Sequence, residues 1–210
     1  MSTNVSYRSC NRPRRAGMLT AAALAGLAGL WPGAFAFGQV TSWVSAVSGD
    51  WFTASHWSNG VPLGATADAV LSAQPGPYSI TMQGSSLVRS MNITVPDITV
   101  IIQNGDLTLV NVGSFNVALG SKLLLQVGSN LLVAPGGSAS FANAGLVEVN
   151  GSPSDRFRMV GTPGLAFTNT GVINVGSATY AQFYGSTFDN AGTINVPAGS
   201  AAEFFGGDDL

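Results

Sequence analysis

The sequence predicts an all-β fold, a single-stranded parallel β-helix with right-handed coils. Three observations predict it: a repeated turn motif, short β-prone runs divided by Gly, Asn, Ser and Pro, and a charged fraction of only 9%. Charged residues usually make up about 25% of a globular chain. No stretch after residue 40 shows helical periodicity. A single repeat cannot cover its own apolar face, so the copies must stack.

Three copies of one motif lie in the C-terminal half of the chain. The shared pattern is Phe-x-Asn-x-Gly-x-(Val/Ile)-polar-Val, and the copies begin at Phe141, Phe167 and Phe188. Equivalent residues of stacked coils lie about 4.8 Å apart. We therefore expect the three Phe side chains to form an interior aromatic stack. The Asn residues of the motif should form an amide ladder at the bend: Asn143, Asn169 and Asn190.

The end of the motif predicts a turn followed by a half-buried strand. Asn-x-Gly is typical of a turn with positive φ. Alternation in the next strand predicts that two residues of each copy face inward. These residues are Val147, Val149, Ile173, Val175, Ile194 and Val196.

A degenerate earlier copy of the motif is expected to begin at Leu109 and to run through Asn111, Gly113 and Phe115 to Val117. From Ala69 onward we expect about six coils in a rod about 30 Å long. A β-sandwich is the alternative, but it leaves the repeated turn motif unexplained.

The N-terminus has the pattern of a secretory signal peptide. Four arginines between residues 8 and 15 precede an uncharged run, and Ala34-Phe35-Ala36 supplies a small-x-small cleavage site. Cleavage after Gly38 and a retained signal anchor are the alternatives. The predicted organisation is a signal peptide at 1–36, a Trp-rich cap segment at 37–69 and β-helix repeats at 70–210. A secreted or cell-surface location follows from it.

Cleavage would leave a chain with four basic and ten acidic residues, a formal net charge of −6. That balance lacks the basic surface of a nucleic-acid-binding protein. The sole cysteine, Cys10, would be removed, and His56 is the one histidine. Disulfides and a thiolate zinc site are therefore excluded from the mature chain, and we predict neither a metal site nor a cofactor.

The segment with Trp43, Gly49-Asp50-Trp51, Trp57 and Gly60-Val61-Pro62 resembles the opening of large bacterial secreted repeat proteins, including β-helical passenger regions of the autotransporter type. The resemblance implies an adhesin-like or surface-layer role. Autotransporters end in a membrane β-barrel, which this sequence does not supply after Leu210. We therefore expect a truncated piece of a longer protein. An uncapped last coil would favour end-to-end self-association.

Two sets of residues are candidates for ligand binding. Trp43, Trp51 and Trp57 could stack on sugar rings, or they could plug the open end of the helix as a cap. Asp155, Arg156 and Arg158 are predicted to share a loop, because one repeat interval carries five extra residues. Pectate-lyase-like β-helices bind and deprotonate acidic sugars with Arg and carboxylates. The alternative is a solvated loop with a local ion pair.

The expected function is display at the cell surface by an exported, non-enzymatic β-helical protein with an adhesin-like or structural role. Its partners would be cell-surface glycans or other surface proteins. The alternative is a polysaccharide-active, lyase-like enzyme or a carbohydrate-binding module on the same scaffold. The enzyme would require the Asp155, Arg156 and Arg158 loop to meet acids from adjacent coils.

Overall fold

The computed structural model describes residues 38–73, 76–134, 138–151, 156–161, 165–177 and 179–206. This part of the chain contains eighteen β-strands and one short 3-10 helix, Ala54–His56. The strands are β1 (Val40–Ser42), β2 (Gly49–Asp50), β3 (Asp68–Leu71), β4 (Tyr78–Gln83), β5 (Ser86–Ile93), β6 (Ile98–Gln103), β7 (Asp106–Val117), β8 (Lys122–Gln126), β9 (Asn130–Val133), β10 (Ser138–Asn143), β11 (Leu146–Asn150), β12 (Arg156–Gly161), β13 (Leu165–Asn169), β14 (Val172–Val175), β15 (Tyr180–Gly185), β16 (Thr187–Asn190), β17 (Thr193–Asn195) and β18 (Ala201–Gly206).

The described strands wind into a parallel β-helix of about six coils. We number the coils from the one that holds β3 and β4 to the one that holds β15, β16 and β17. Every ladder between named strands is parallel and joins one coil to the next. This pairing confirms the predicted parallel β-helix and excludes the β-sandwich.

Three stacks of strands surround one continuous core. Face 1 consists of the first halves of β5 and β7, followed by β9, β12, β15 and β18. Face 2 consists of β1, β3, the second halves of β5 and β7, and then β10, β13 and β16. Face 3 consists of β2, β4, β6, β8, β11, β14 and β17.

The predicted aromatic stack is present in the core under face 2. Phe141 pairs in register with Phe167, and Phe167 pairs with Phe188. The ring centroids of these two pairs lie 4.9 and 4.7 Å apart with nearly parallel planes. Phe115 extends the stack toward the N-terminus, with its ring 5.2 Å from that of Phe141. Stacked rings of this kind combine area burial with a favourable ring geometry.

The position of Phe115 corrects the alignment of the degenerate copy. Phe115, and not Leu109, occupies the place of Phe141, because the register pairs Phe115 with Phe141 and Val117 with Asn143. The predicted Asn111-x-Gly113 turn lies instead inside β7, where the chain bends from face 1 to face 2. A shift of register between β5 and β7 takes up the extra residues at this bend.

The predicted amide ladder is also present. The Nδ2 of Asn143 donates to the Oδ1 of Asn169 at 2.7 Å, and the Nδ2 of Asn169 donates to the Oδ1 of Asn190 at 2.6 Å. Asn143 and Asn169 are buried, so their side chains need these partners to offset lost hydration. The Oδ1 of Asn143 also accepts a hydrogen bond from the backbone N–H of Gly145 at 3.1 Å. This local bond closes the turn.

The prediction that the motif glycines adopt positive φ is wrong. None of Gly145, Gly171 and Gly192 is among the described glycines with positive φ. Their role is close approach between coils. A Cβ at Gly145 would lie 2.4 Å from the carbonyl oxygen of Ala118, and one at Gly171 would lie 2.2 Å from that of Gly145. Only glycine lets the backbones approach this closely.

The inward residues of face 3 are buried as predicted over most of its length. Val147, Val149, Ile173 and Val175 are all buried. Ile194 is partly buried against the core. Val196 differs, because it follows the end of β17 and is 43% exposed.

The Trp-rich segment contributes β1 and β2 to the sheets and packs into the same core. Trp43, Trp51 and Trp57 are buried. The ring of Trp57 lies 5.1 Å from that of Trp43 and 4.8 Å from that of Trp51, with edge-to-face geometry in both pairs. The Nε1 of Trp57 donates to the carbonyl of Trp51 at 2.7 Å. The three indoles therefore extend the core of the β-helix to the N-terminal end of its described part.

An ion pair ties the first coil to the second. The Nε of Arg89 donates to the Oδ1 of Asp68 at 2.8 Å, and the hydroxyl of Ser90 donates to the same oxygen at 2.6 Å. Asp68 is buried, whereas the Arg89 side chain is 40% exposed. The hydrogen bond from Arg89 lowers the pKa of Asp68 below its ordinary value, and burial opposes that shift. The carboxylate form is therefore the stable form in the folded protein.

The predicted signal peptide, residues 1–36, lies outside the described residues. Within the part that the structure describes, no helix has both the length and the apolar character needed to cross a bilayer.

The first prediction concerns the aromatic stack. Replacing Phe141 with Ala removes a fully buried ring that contacts Phe115 and Phe167. We expect the free energy of unfolding to fall by about 3–5 kcal/mol, measured by chemical denaturation. Phe204→Ala is the control, since Phe204 is 40% exposed and its loss should cost clearly less. Equal losses in the two variants would contradict a core role for the stack.

The second prediction concerns the close approach of coils. We expect Gly171→Ala to lower the free energy of unfolding by about 1–3 kcal/mol, because the new methyl group meets backbone that cannot move freely. Gly76→Ala is the matched control, since a Cβ there meets no atom within 4 Å. If Gly171→Ala left the free energy of unfolding unchanged, the coils would not be packed this tightly.

The third prediction concerns pH. The folded-state pKa of Asp68 lies below the ordinary value of 3.8, so its stabilising contribution is complete above about pH 4 and is lost as pH falls through the folded pKa. We expect Asp68→Asn to be less stable than the native protein near neutral pH, with the difference shrinking toward about pH 2. Urea denaturation across this range measures it. Arg89→Gln should reproduce the trend, and a constant difference would contradict the ion pair.

Candidate functional site

A groove of about 830 Å³ runs along the corner where face 2 turns into face 3. We call it the corner groove. One side is a column of outward residues, one from the start of each face 3 strand in coils 2 to 6. Parallel register aligns this column across all five coils. Its members are Thr99, Lys122, Leu146, Val172 and Thr193.

The floor of the groove is low because the corners of coils 4, 5 and 6 are short. Two residues separate the face 2 strand from the face 3 strand in each of these coils, and the second is always glycine. The glycines lie against the backbone of the preceding coil. The pairs are Ala144-Gly145, Thr170-Gly171 and Ala191-Gly192. The floor is therefore mostly backbone and small side chains.

Longer corners in coils 2 and 3 make the groove's raised end. Four residues separate Ile93 from Ile98, and four separate Val117 from Lys122. Leu119 lies in the second of these corners and is 79% exposed. Asp97 lies in the first, with a φ of 63°. Leu119 therefore adds exposed aliphatic area to the rim of the groove.

The backbone donors at this corner are already paired between coils. The N–H of Leu146 donates to the carbonyl of Ser121, and that of Val172 donates to the carbonyl of Gly145, both at 2.9 Å. The N–H of Thr193 donates to the carbonyl of Gly171 at the same distance. A ligand in the groove would therefore be held by side chains, and backbone N–H groups would add little.

The basic side chain that lines the groove is paired with a carboxylate. The Nζ of Lys122 forms an ion pair with the carboxylate of Glu148, which projects from the neighbouring coil. Arg89 is the other basic residue whose side chain the structure describes, and it is paired with Asp68. Asp97 on the rim is exposed. Among the described side chains, both cations thus have a carboxylate partner.

A smaller groove of about 360 Å³ lies on the face 2 side of the same corner. Its lining includes Asn116, Ala142 and Thr168, which are outward residues aligned by register across coils 3, 4 and 5. The Nδ2 of Asn116 donates to the Oδ1 of Asn92 in the coil before. This groove is less than half as large as the corner groove.

None of the sequence-predicted site residues that the structure describes lines the corner groove. Trp43, Trp51 and Trp57 are buried, so none of their ring faces is open for stacking on a sugar. Arg156 and Arg158 lie in strand β12 on face 1, where β12 pairs with β9 and β15, and the predicted loop is wrong at these two positions. Asp155 lies outside the described residues. The part of the chain that the structure describes holds no group of three His, Cys, Asp or Glu residues placed to bind a metal ion.

Sequence reasoning missed the corner groove, although one signal for it was present. The Asn-x-Gly motif places a small residue and then glycine at the same corner of successive coils, which lowers the surface there. Leu119 gave no such signal, because its exposure depends on the longer corner of coil 3.

Comparisons with protein-family models, with curated proteins and with solved structures find no match for this chain. The fold therefore rests on the strand topology described above.

Proposed function

We propose that this chain is an exported, non-enzymatic β-helical protein with an adhesin-like or structural role at the cell surface or outside the cell. The signal-peptide pattern at residues 1–36 supports export. The stacked coils support display, since a β-helix is a stiff support that repeats the same surface along its length. The autotransporter-like resemblance of the Trp-rich segment supports the same role.

The single observation that carries the proposal is the corner groove. Five coils contribute equivalent residues to one continuous surface. A partner that lies along this surface would make several weak contacts at once. Linked weak contacts raise overall affinity without any single strong site.

The alternative is a polysaccharide-active enzyme that uses Asp155, Arg156 and Arg158. It differs from display in one measurable respect, which is release of shortened or unsaturated products. Strand β12, which contains Arg156 and Arg158, belongs to face 1, and neither residue lines the corner groove.

The fourth prediction tests the proposed function. Expressed in a bacterial host with its own leader, the protein should reach the cell surface or the medium and be cut by protease added to intact cells. The purified protein should bind to cells or to immobilised surface glycans. Retention inside the cell, or binding to neither cells nor glycans nor surface proteins, would contradict the proposal.

A product assay separates the two functions. The purified protein is incubated with a polysaccharide panel, and we expect binding without shortened or unsaturated products. Products that disappear in Arg158→Ala would overturn the display proposal in favour of the enzyme. Arg89→Ala is the control for a general effect of losing an arginine, because Arg89 is tied to Asp68 in coil 1.

A further inference from the structure

We propose that the corner groove binds an uncharged, linear polysaccharide whose chain runs along the helix axis, with about one sugar residue over each coil. The inference rests on the proposed display function and adds to it the ligand class, the site and the direction of binding. It is carried by the spacing of the groove, by the residue types that line it and by its charge.

The spacing of the groove matches a sugar chain better than a peptide. The column from Thr99 to Thr193 advances by one strand spacing per coil, about 4.8 Å. An extended, β-1,4-linked hexose chain advances by nearly the same distance per residue and turns over from one residue to the next, so successive sugars would lie over successive coils with alternate ring faces toward the groove. An extended peptide advances about 3.3 Å per residue and repeats its facing every second residue. The interval between its side chains on one face would therefore differ from the interval between coils.

The lining offers the two kinds of contact that a sugar ring needs. Leu146 and Val172 form an aliphatic patch in the middle of the column, suited to the C–H faces of pyranose rings. Thr99 and Thr193 bring hydroxyl groups to the ends of the column. The hydroxyl of Thr170 donates to the carbonyl of Asn143 at 3.2 Å. Its oxygen lone pairs remain able to accept from a sugar hydroxyl.

The charge of the groove favours a neutral polysaccharide over an acidic one. Lys122 is neutralised by Glu148, and no other described cation lines the groove. Asp97 on the rim would repel a carboxylate or sulfate on the ligand. An acidic polysaccharide would have to displace Glu148 from Lys122 and also pass Asp97.

The fifth prediction is a binding measurement on the purified full-length protein by calorimetry. The probes are cellohexaose, chitohexaose and mannohexaose, their disaccharides, and polygalacturonate. We expect at least one hexasaccharide to bind about tenfold or more tightly than its disaccharide, since it spans more coils, and polygalacturonate not to bind. No binding of any hexasaccharide, or tighter binding of polygalacturonate, would overturn the proposal.

Matched variants locate the site. Thr193 and Thr187 are both exposed first residues of their strands in coil 6, but Thr193 lies in the groove and Thr187 lies on face 2. Thr193→Arg should weaken hexasaccharide binding by about tenfold or more, whereas Thr187→Arg should leave it unchanged. Leu119→Ser should also weaken binding, and Leu63→Ser, at an exposed leucine outside the groove, is its control. Circular dichroism and thermal unfolding confirm that each variant is folded.

The outcomes separate this inference from the function on which it rests. Surface location and cell binding without any hexasaccharide binding would refute the ligand assignment and leave display intact. Hexasaccharide binding that Thr193→Arg and Thr187→Arg affect equally would refute the corner groove as the site. Hexasaccharide binding by a protein that stays inside the cell would refute the display function.

Discussion

The structure depends on the close stacking of successive coils in one fixed register. At the corner between faces 2 and 3, each coil donates a backbone hydrogen bond to the coil before it, as from Val172 to Gly145 at 2.9 Å. The approach is so close that a side chain at Gly171 would collide with backbone. Once this register is set, equivalent residues of all coils superpose. The Phe stack inside and the residue column of the corner groove outside are two results of the same register.

The Asn residue of the motif links the interior to the surface. In coils 2 and 3 the position of the motif Asn is occupied by Ile93 and Val117. The corner that follows each of these residues has four residues. Where the position is occupied by Asn143, the side-chain oxygen accepts from the N–H of Gly145 and the corner has only two. A buried amide is stable only when paired, and here its pairing partners are the same amides in neighbouring coils. The ladder that satisfies the amides therefore also keeps the corners short, and the short corners form the floor of the groove.

This relation shows which groups a chain with few charges would use at the binding surface that we propose. The described cations, Arg89 and Lys122, are used in ion pairs between coils, and the backbone donors at the corner are used in coil stacking. What remains available to a partner is the shape of the groove, an aliphatic patch and hydroxyl groups, on residues that follow one another at the interval of the coils. Such a surface suits a long ligand with a matching interval better than a small ligand held by one strong contact.

The sequence by itself determined the parallel β-helix, the aromatic stack from Phe141 to Phe188, and the Asn ladder, because three copies of one motif can bury their apolar faces only by stacking in register. The tertiary structure alone decided which residue of coil 3 joins the stack, and it chose Phe115 over Leu109. It also decided that the motif glycines allow the backbones of neighbouring coils to approach closely, and that Arg156 and Arg158 lie in a strand. The corner groove belongs to this second group, because it depends on how far each corner projects relative to the next coil. Contacts between residues 21–26 positions apart set that projection. The Asn-x-Gly motif marks the short corners, but no local pattern marks the longer corner that exposes Leu119.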